Sequence, residues 1–185
     1  MVPEDISQGT REIRANIEGI YLDKLYVVMS YQRNRALQIL VKRYKYRNAF
    51  DISIVLGHLM KTYLRTQGIN KRAYRIVPVP LHWRRLLKRG YNQSYLLAKE
   101  IGKPVKLLKR TRNTPQQALL TREERRINVI DSFLYIRRKH KRVPKRVLLI
   151  DDIASTASTM EECAKVLKKA GVKEVIGLVL GRNVY

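Results

Sequence analysis

The clearest alternation of apolar and polar positions lies in the last third of the chain. Val147-Leu148-Leu149-Ile150 is a continuous apolar run bounded by charge, the pattern of a strand buried on both faces. Met160, Cys163, Ala164 and Leu167 follow at i, i+3, i+4 and i+7, one face of a helix. Gly171 stands where a helix ends, and Val175 to Leu180 is a second buried strand. Strand, helix and strand within this span predict a βαβ unit and therefore a parallel sheet.

Upstream the periods are shorter. Residues 19–31 (GIYLDKLYVVMSY) combine Tyr, Val and Ile around Leu22-Asp23-Lys24 and predict a pair of strands or a β-ribbon. Asn34 opens a helical pattern that runs into the basic tail Lys42-Arg43-Tyr44-Lys45-Tyr46-Arg47, and a second helix runs from Asn48 to a stop at Gly68. Arg75 to Val79 reads as a strand closed by prolines, followed by a basic loop, LHWRRLLKRG. Asn92 is placed to cap a helix through Ile101, and Val105–Leu108 and Phe133–Ile136 are further strands. Thr121-x-x-Glu124 has capping-box spacing, which predicts a short basic helix through Asn128. The pattern divides into an N-terminal extension over 1–18 and one domain over 19–185.

Composition narrows the class. At 185 residues and 45% hydrophobic content the chain can bury a real core. Its apolar runs are too short to span a bilayer. The start, MVPEDISQGTRE, has no apolar signal-peptide core. The single cysteine, Cys163, allows neither an internal disulfide nor a cysteine cluster for zinc. A cytoplasmic protein without zinc is expected. Charge changes the picture more. Lys and Arg number 39 against 15 acids, a net +24. Residues 84–146 alone hold 20 bases against 4 acids. Such a one-sided field suits a polyanionic partner, with a merely solvated basic surface as the plain alternative.

Chemistry concentrates after Ile150. Two carboxylates, Asp151 and Asp152, lead into Ile153-Ala154-Ser155-Thr156-Ala157-Ser158-Thr159 and then a helix. Ligands of open α/β sheets bind beyond the carboxyl ends of strands, where helix N–H groups favour an anion. Small and hydroxylated residues let a phosphate approach the backbone. Ser158-x-x-Glu161 and Thr159-x-x-Glu162 both have capping-box spacing. Carboxylates beside a phosphate need another partner. Vicinal ribose hydroxyls are suitable donors, and Mg²⁺ is the usual bridge to a pyrophosphate. Phosphoribosyl pyrophosphate has all of these parts.

VLLIDDIASTAST resembles the thirteen-residue phosphoribosyl pyrophosphate signature of type I phosphoribosyltransferases. VPVP…RRLLKRGYNQS, LKRTRNTPQQALLTREERRIN and the DSF before the signature are similar to the ComF family of competence-associated, amidophosphoribosyltransferase-like proteins, over roughly residues 20–182. The resemblance implies an α/β fold with a central, mainly parallel sheet flanked by helices and a small hood. Asp151 and Asp152 would be the catalytic carboxylates, and residues 153–159 the substrate-binding turn. Arg84, Arg85, Arg89 and Gly90 would form the pyrophosphate loop. Gln116, Arg122, Arg125 and Arg126 would belong to a mobile loop that closes the site. Mg²⁺ would arrive with the substrate. Two departures stand out: Ala157 occupies a position where the family typically has Gly, and the family's frequent four-cysteine zinc ribbon is absent.

Two functions are expected on these grounds. One is transfer of phosphoribose to an acceptor with release of pyrophosphate. The other is a non-catalytic competence or DNA-processing factor whose basic surface holds single-stranded nucleic acid. The Lys42–Arg47 run, with its interleaved tyrosines, and Trp83 beside Arg84 are candidate base-stacking elements. Partial burial is the plain alternative for Trp83.

Overall fold

The computed structural model describes residues 21–31, 34–46, 49–113, 129–137, 142–154 and 157–182, with the side chains of 45, 46, 49 and 50 outside the description. The expected extension over 1–18, the mobile-loop residues Gln116, Arg122, Arg125 and Arg126, the helix through Asn128, and Ser155 and Thr156 of the turn all lie outside these residues.

A four-stranded parallel sheet forms the centre, in the order β1-β6-β5-β2. Its strands are β1 (Lys24–Ser30), β2 (Arg75–Pro78), β5 (Arg146–Ala154) and β6 (Glu174–Arg182). The short strands β3 (Leu108–Arg110) and β4 (Phe133–Tyr135) pair as a separate antiparallel ribbon. The helices are α1 (Arg35–Tyr46), α2 (Ala49–Thr66), α3 (Trp83–Arg89), α4 (Gln93–Ile101) and α5 (Ser158–Lys169).

Side chains alternate along a strand, and β5 shows what that does. Val147 and Leu149 pack with Met160, Cys163, Ala164 and Leu167 of α5, while Leu148 and Ile150 pack with Leu56, Met60, Leu97 and Ile101 of α2 and α4. Both faces of the sheet are therefore covered, as the continuous apolar runs predict. Gly57 permits the closest helix approach: a Cβ there would lie 2.3 Å from that of Glu100.

Three elements differ from their sequence patterns. Of the segment 19–31, the described residues 21–31 do not form a ribbon. Asp23 supplies a long-range acceptor instead of a turn, taking the Val175 N–H at 2.6 Å and Lys168 at 2.6 Å, so the segment enters as the edge strand β1. The basic stretch after Pro80 is a helix, α3, in place of a loop. His82 Nδ1 accepts the Arg84 N–H and Gly90, at φ +76°, closes the helix. Finally β5 does not stop at Ile150. Asp151, Ile153 and Ala154 find ladder partners in Val179, Gly181 and Arg182 of the equally long β6.

Candidate phosphoribosyl site

The carboxyl end of β5 brings together parts from four elements. Asp151 and Asp152 are both half-exposed there. Alternation sends them to opposite faces: Asp151 lies where its charge acts on Cys163 and Arg110, and Asp152 where its charge acts on Tyr44. Each carboxylate also takes the next backbone N–H, at 2.9 Å for Asp152 and 2.7 Å for Ile153. The Ser94 hydroxyl donates to Asp151 Oδ1 at 2.8 Å. Ser94 is held in place by Asn92, which caps α4 through the Ser94 N–H and donates to Val79 O at 3.0 Å. The start of α4 is thereby tied to the end of β2.

Above the acids lies a guanidinium cluster. Arg110, at the end of β3, is 6% exposed and stacks over Phe133 at 5.3 Å. Burial lowers its pKa, and Cys163 and Asp151 oppose that shift. Burial first, then Arg110 and Arg89, lowers the Arg85 pKa. Arg89 reaches the Gln93 side-chain oxygen at 3.4 Å. Arginine remains charged through such shifts, so cations gather beside Asp151, which suits an anionic ligand group.

On the other side of the acids the chain turns into α5. Ala157 is its N-cap, at φ 58° and 3% exposed, with no side-chain cap. Glycine would adopt this left-handed conformation without strain; here the methyl is kept and buried. Ser158 and Thr159 begin the helix, buried and half-buried. The two expected capping boxes do not form. Glu161 instead accepts the N–H groups of Tyr21 and Leu22, and Glu162 that of Asp131. Distant backbone donors have outcompeted the local ones.

Not every expected site residue meets the acids. Ile153 and Ala154 are strand residues of β5 packed against the two cores. Arg84 lies over the exposed Trp83 ring at 5.3 Å, and Gly90 is the αL cap of α3. Trp83 is 56% exposed, its ring partly covered by His82 and Arg84. Tyr44, read as a stacking candidate, is fully buried and donates to Gln93 O at 2.6 Å. His82 is buried as a helix cap and Cys163 is core. Arg110, Ser94 and Gln93 carry no local signal that would have singled them out.

A profile of the phosphoribosyl transferase domain matches residues 86–183. Competence protein F of Haemophilus influenzae is 33% identical over 83% of this chain and 70% of its own length. Competence protein ComFC of Streptococcus pneumoniae is 30% identical over 77% of the chain, and DNA utilization protein YhgH of Escherichia coli K12 is 30% identical over 75%. The chain spans only 61% and 64% of those two relatives. The parallel sheet, the α5 crossover and the small antiparallel ribbon make this a type I phosphoribosyltransferase fold. Within that class, the chain belongs to the ComF family.

Proposed function

We propose that this protein binds phosphoribosyl pyrophosphate, or a closely related ribose phosphate, at the carboxyl end of β5 and transfers the phosphoribosyl group to an acceptor. The 5-phosphate would rest on the turn 155–159 and the first N–H groups of α5. Asp151 and Asp152 would accept hydrogen bonds from the ribose hydroxyls, and the pyrophosphate would extend toward Arg85, Arg89 and Arg110. Mg²⁺ would come with the pyrophosphate. Asp151 and Asp152 alone would not hold it, and substrate and water oxygens would supply its ligands. Departure of pyrophosphate leaves positive charge on the sugar in an oxocarbenium-like transition state. The chain would contribute by stabilising that leaving group electrostatically.

The observation that carries this reading is the position of two half-exposed acids between a helix N-terminus and a cluster of arginines. Asp151→Asn with Asp152→Asn should abolish ribose phosphate binding in calorimetry and leave the melting temperature nearly unchanged. Unchanged affinity would reject the site. Pyrophosphate release on mixing the sugar donor, Mg²⁺ and candidate acceptors tests transfer itself.

A second reading is supported by the net charge of +24 and by the competence and DNA-utilization names of the relatives. In it the same fold serves DNA handling, and nucleic acid occupies a basic surface outside the phosphoribosyl site.

A further inference from the structure

The opposite end of the sheet carries a cavity unrelated to the acids. It measures about 590 Å³ and is lined by Arg72, Tyr74, Arg75, Lys145 and Arg146 among others. Arg75 and Arg146 begin β2 and β5, whereas Asp151 and Asp152 stand near the end of β5. At about 3.3 Å per residue the two places are roughly 16 Å apart along the strand.

Cations come from two walls. Arg72 and Arg75 belong to the single turn of 3₁₀ helix (Lys71–Ala73) and the edge strand that follows it, and Lys145 and Arg146 to the entry of β5. Arg72, Arg75 and Lys145 are exposed. The acid beside this cavity, Glu174, is engaged twice: Oε2 pairs with Arg146 Nε at 2.8 Å and Oε1 accepts the Tyr74 hydroxyl at 2.7 Å. The Arg146 side chain stays 54% exposed despite that pair. Tyr74 is half-buried, with the Arg146 guanidinium 5.9 Å from its ring centre. Burial and Glu174 push its pKa up to about 12, so the phenol stays neutral at physiological pH. Positive charge extends further along this end. The Lys71 ammonium donates to Ile101 O, and burial, then Lys61 and Arg72, lowers its pKa.

We infer that this basic cavity is a second ligand site, which takes the backbone of single-stranded nucleic acid while the acids at the far end hold a ribose phosphate. The occupant follows from charge and shape. Three exposed cations, Arg72, Arg75 and Lys145, stand beside an Arg146 already paired with Glu174 and suit a polyanion, more than one small phosphate can neutralise. Among the described residues β2 has no further strand on its outer side, where the Val105 N–H bonds Ile76 O at 2.9 Å, so the edge beside Arg75 is left for an extended chain to continue past. A tyrosine among the cations matches the pairing of charge and ring that single strands favour. The inference deepens the nucleic-acid reading and does not depend on phosphoribosyl transfer.

The test is a salt titration of the full chain with a labelled oligothymidylate. About three neutralised phosphates at roughly 0.7 each predict a log–log slope contribution near −2. Arg72→Ala with Arg75→Ala and Lys145→Ala should weaken binding about tenfold or more and reduce the slope by about 2. The charge-conserving set Arg72→Lys, Arg75→Lys and Lys145→Arg should restore both, which separates a site effect from a folding effect. Asp151→Asn with Asp152→Asn should bind the oligothymidylate like the unaltered chain, so failure of the phosphoribosyl reading is seen independently. An alanine variant with unchanged affinity and slope would overturn the inference. So would equal competition by a duplex of the same length, or by tripolyphosphate at the same phosphate concentration.

Discussion

Glu161 is buried, yet only one of its carboxylate oxygens has a hydrogen-bond partner, because Tyr21 and Leu22 both donate to Oε2. Burial raises its pKa above the ordinary carboxylate value, against the lowering effect of those two bonds. A carboxyl whose folded pKa is raised binds protons more readily in the folded state. Stability attributable to it is therefore present at low pH and declines as pH rises through the folded value. Glu161→Gln keeps an acceptor and removes the buried charge. It should raise the melting temperature at pH 7 and lose that advantage near pH 4, a difference that thermal denaturation at the two pH values reads directly. Ala157 offers a second single-residue test. Its left-handed backbone costs roughly 1 kcal/mol for a residue with a Cβ, and its buried methyl returns about as much. Ala157→Gly should thus be neutral within about 1 kcal/mol in denaturant unfolding. Ala157→Val, which places a β-branched side chain at φ 58° in the core, should cost about 2–3 kcal/mol.

Among the elements, the β3–β4 ribbon is small but carries Arg110 to the acids of β5. Arg110→Met keeps an apolar side chain over Phe133 while removing the guanidinium whose charge acts on Asp151. Calorimetry should show a loss on the order of tenfold or more for a pyrophosphate-bearing ligand, as for one charge-assisted contact, and a smaller loss for ribose 5-phosphate. Equal losses would remove Arg110 from the leaving-group side. Arg84→Ala, on a guanidinium directed over Trp83, should leave both affinities nearly unchanged. The arginines also show where sequence reading reached its limit. β5, α5 and β6 were legible because each satisfies itself with its own period: continuous apolar strands, one apolar helix face, a terminal glycine. The capping glutamates and Asp23 were not, because their carboxylates bond backbone groups about 140 residues away for Glu161 and about 150 for Asp23. Asp151 and Asp152 could be read as a candidate site from neighbouring residues alone. Arg110 and Ser94 could not, since they reach Asp151 only through tertiary packing.

For the whole molecule the net charge of +24 acts on folding and on binding in opposite senses. Compacting so many like charges raises their mutual repulsion, and added salt relieves it: the Debye length falls from about 30 Å at 0.01 M to about 10 Å at 0.1 M. The sheet is covered on both faces by apolar clusters that salt hardly touches, so screening should act mainly on the surface term. Moving from 20 to 300 mM NaCl should therefore raise the melting temperature by about 2–4 °C, corresponding to roughly 1 kcal/mol for a chain of this size. The same change should weaken oligothymidylate binding, because each released counterion gains less entropy when the bulk already holds many. Measured together by differential scanning calorimetry and anisotropy, the two responses must have opposite signs. Were both to fall with salt, the surface charge would be organised into favourable ion pairs instead of a repulsive field. The exposed Arg72, Arg75 and Lys145 argue for repulsion, because the ion pairs identified among the described residues involve Asp23, Asp131, Glu162 and Glu174 and leave these cations out.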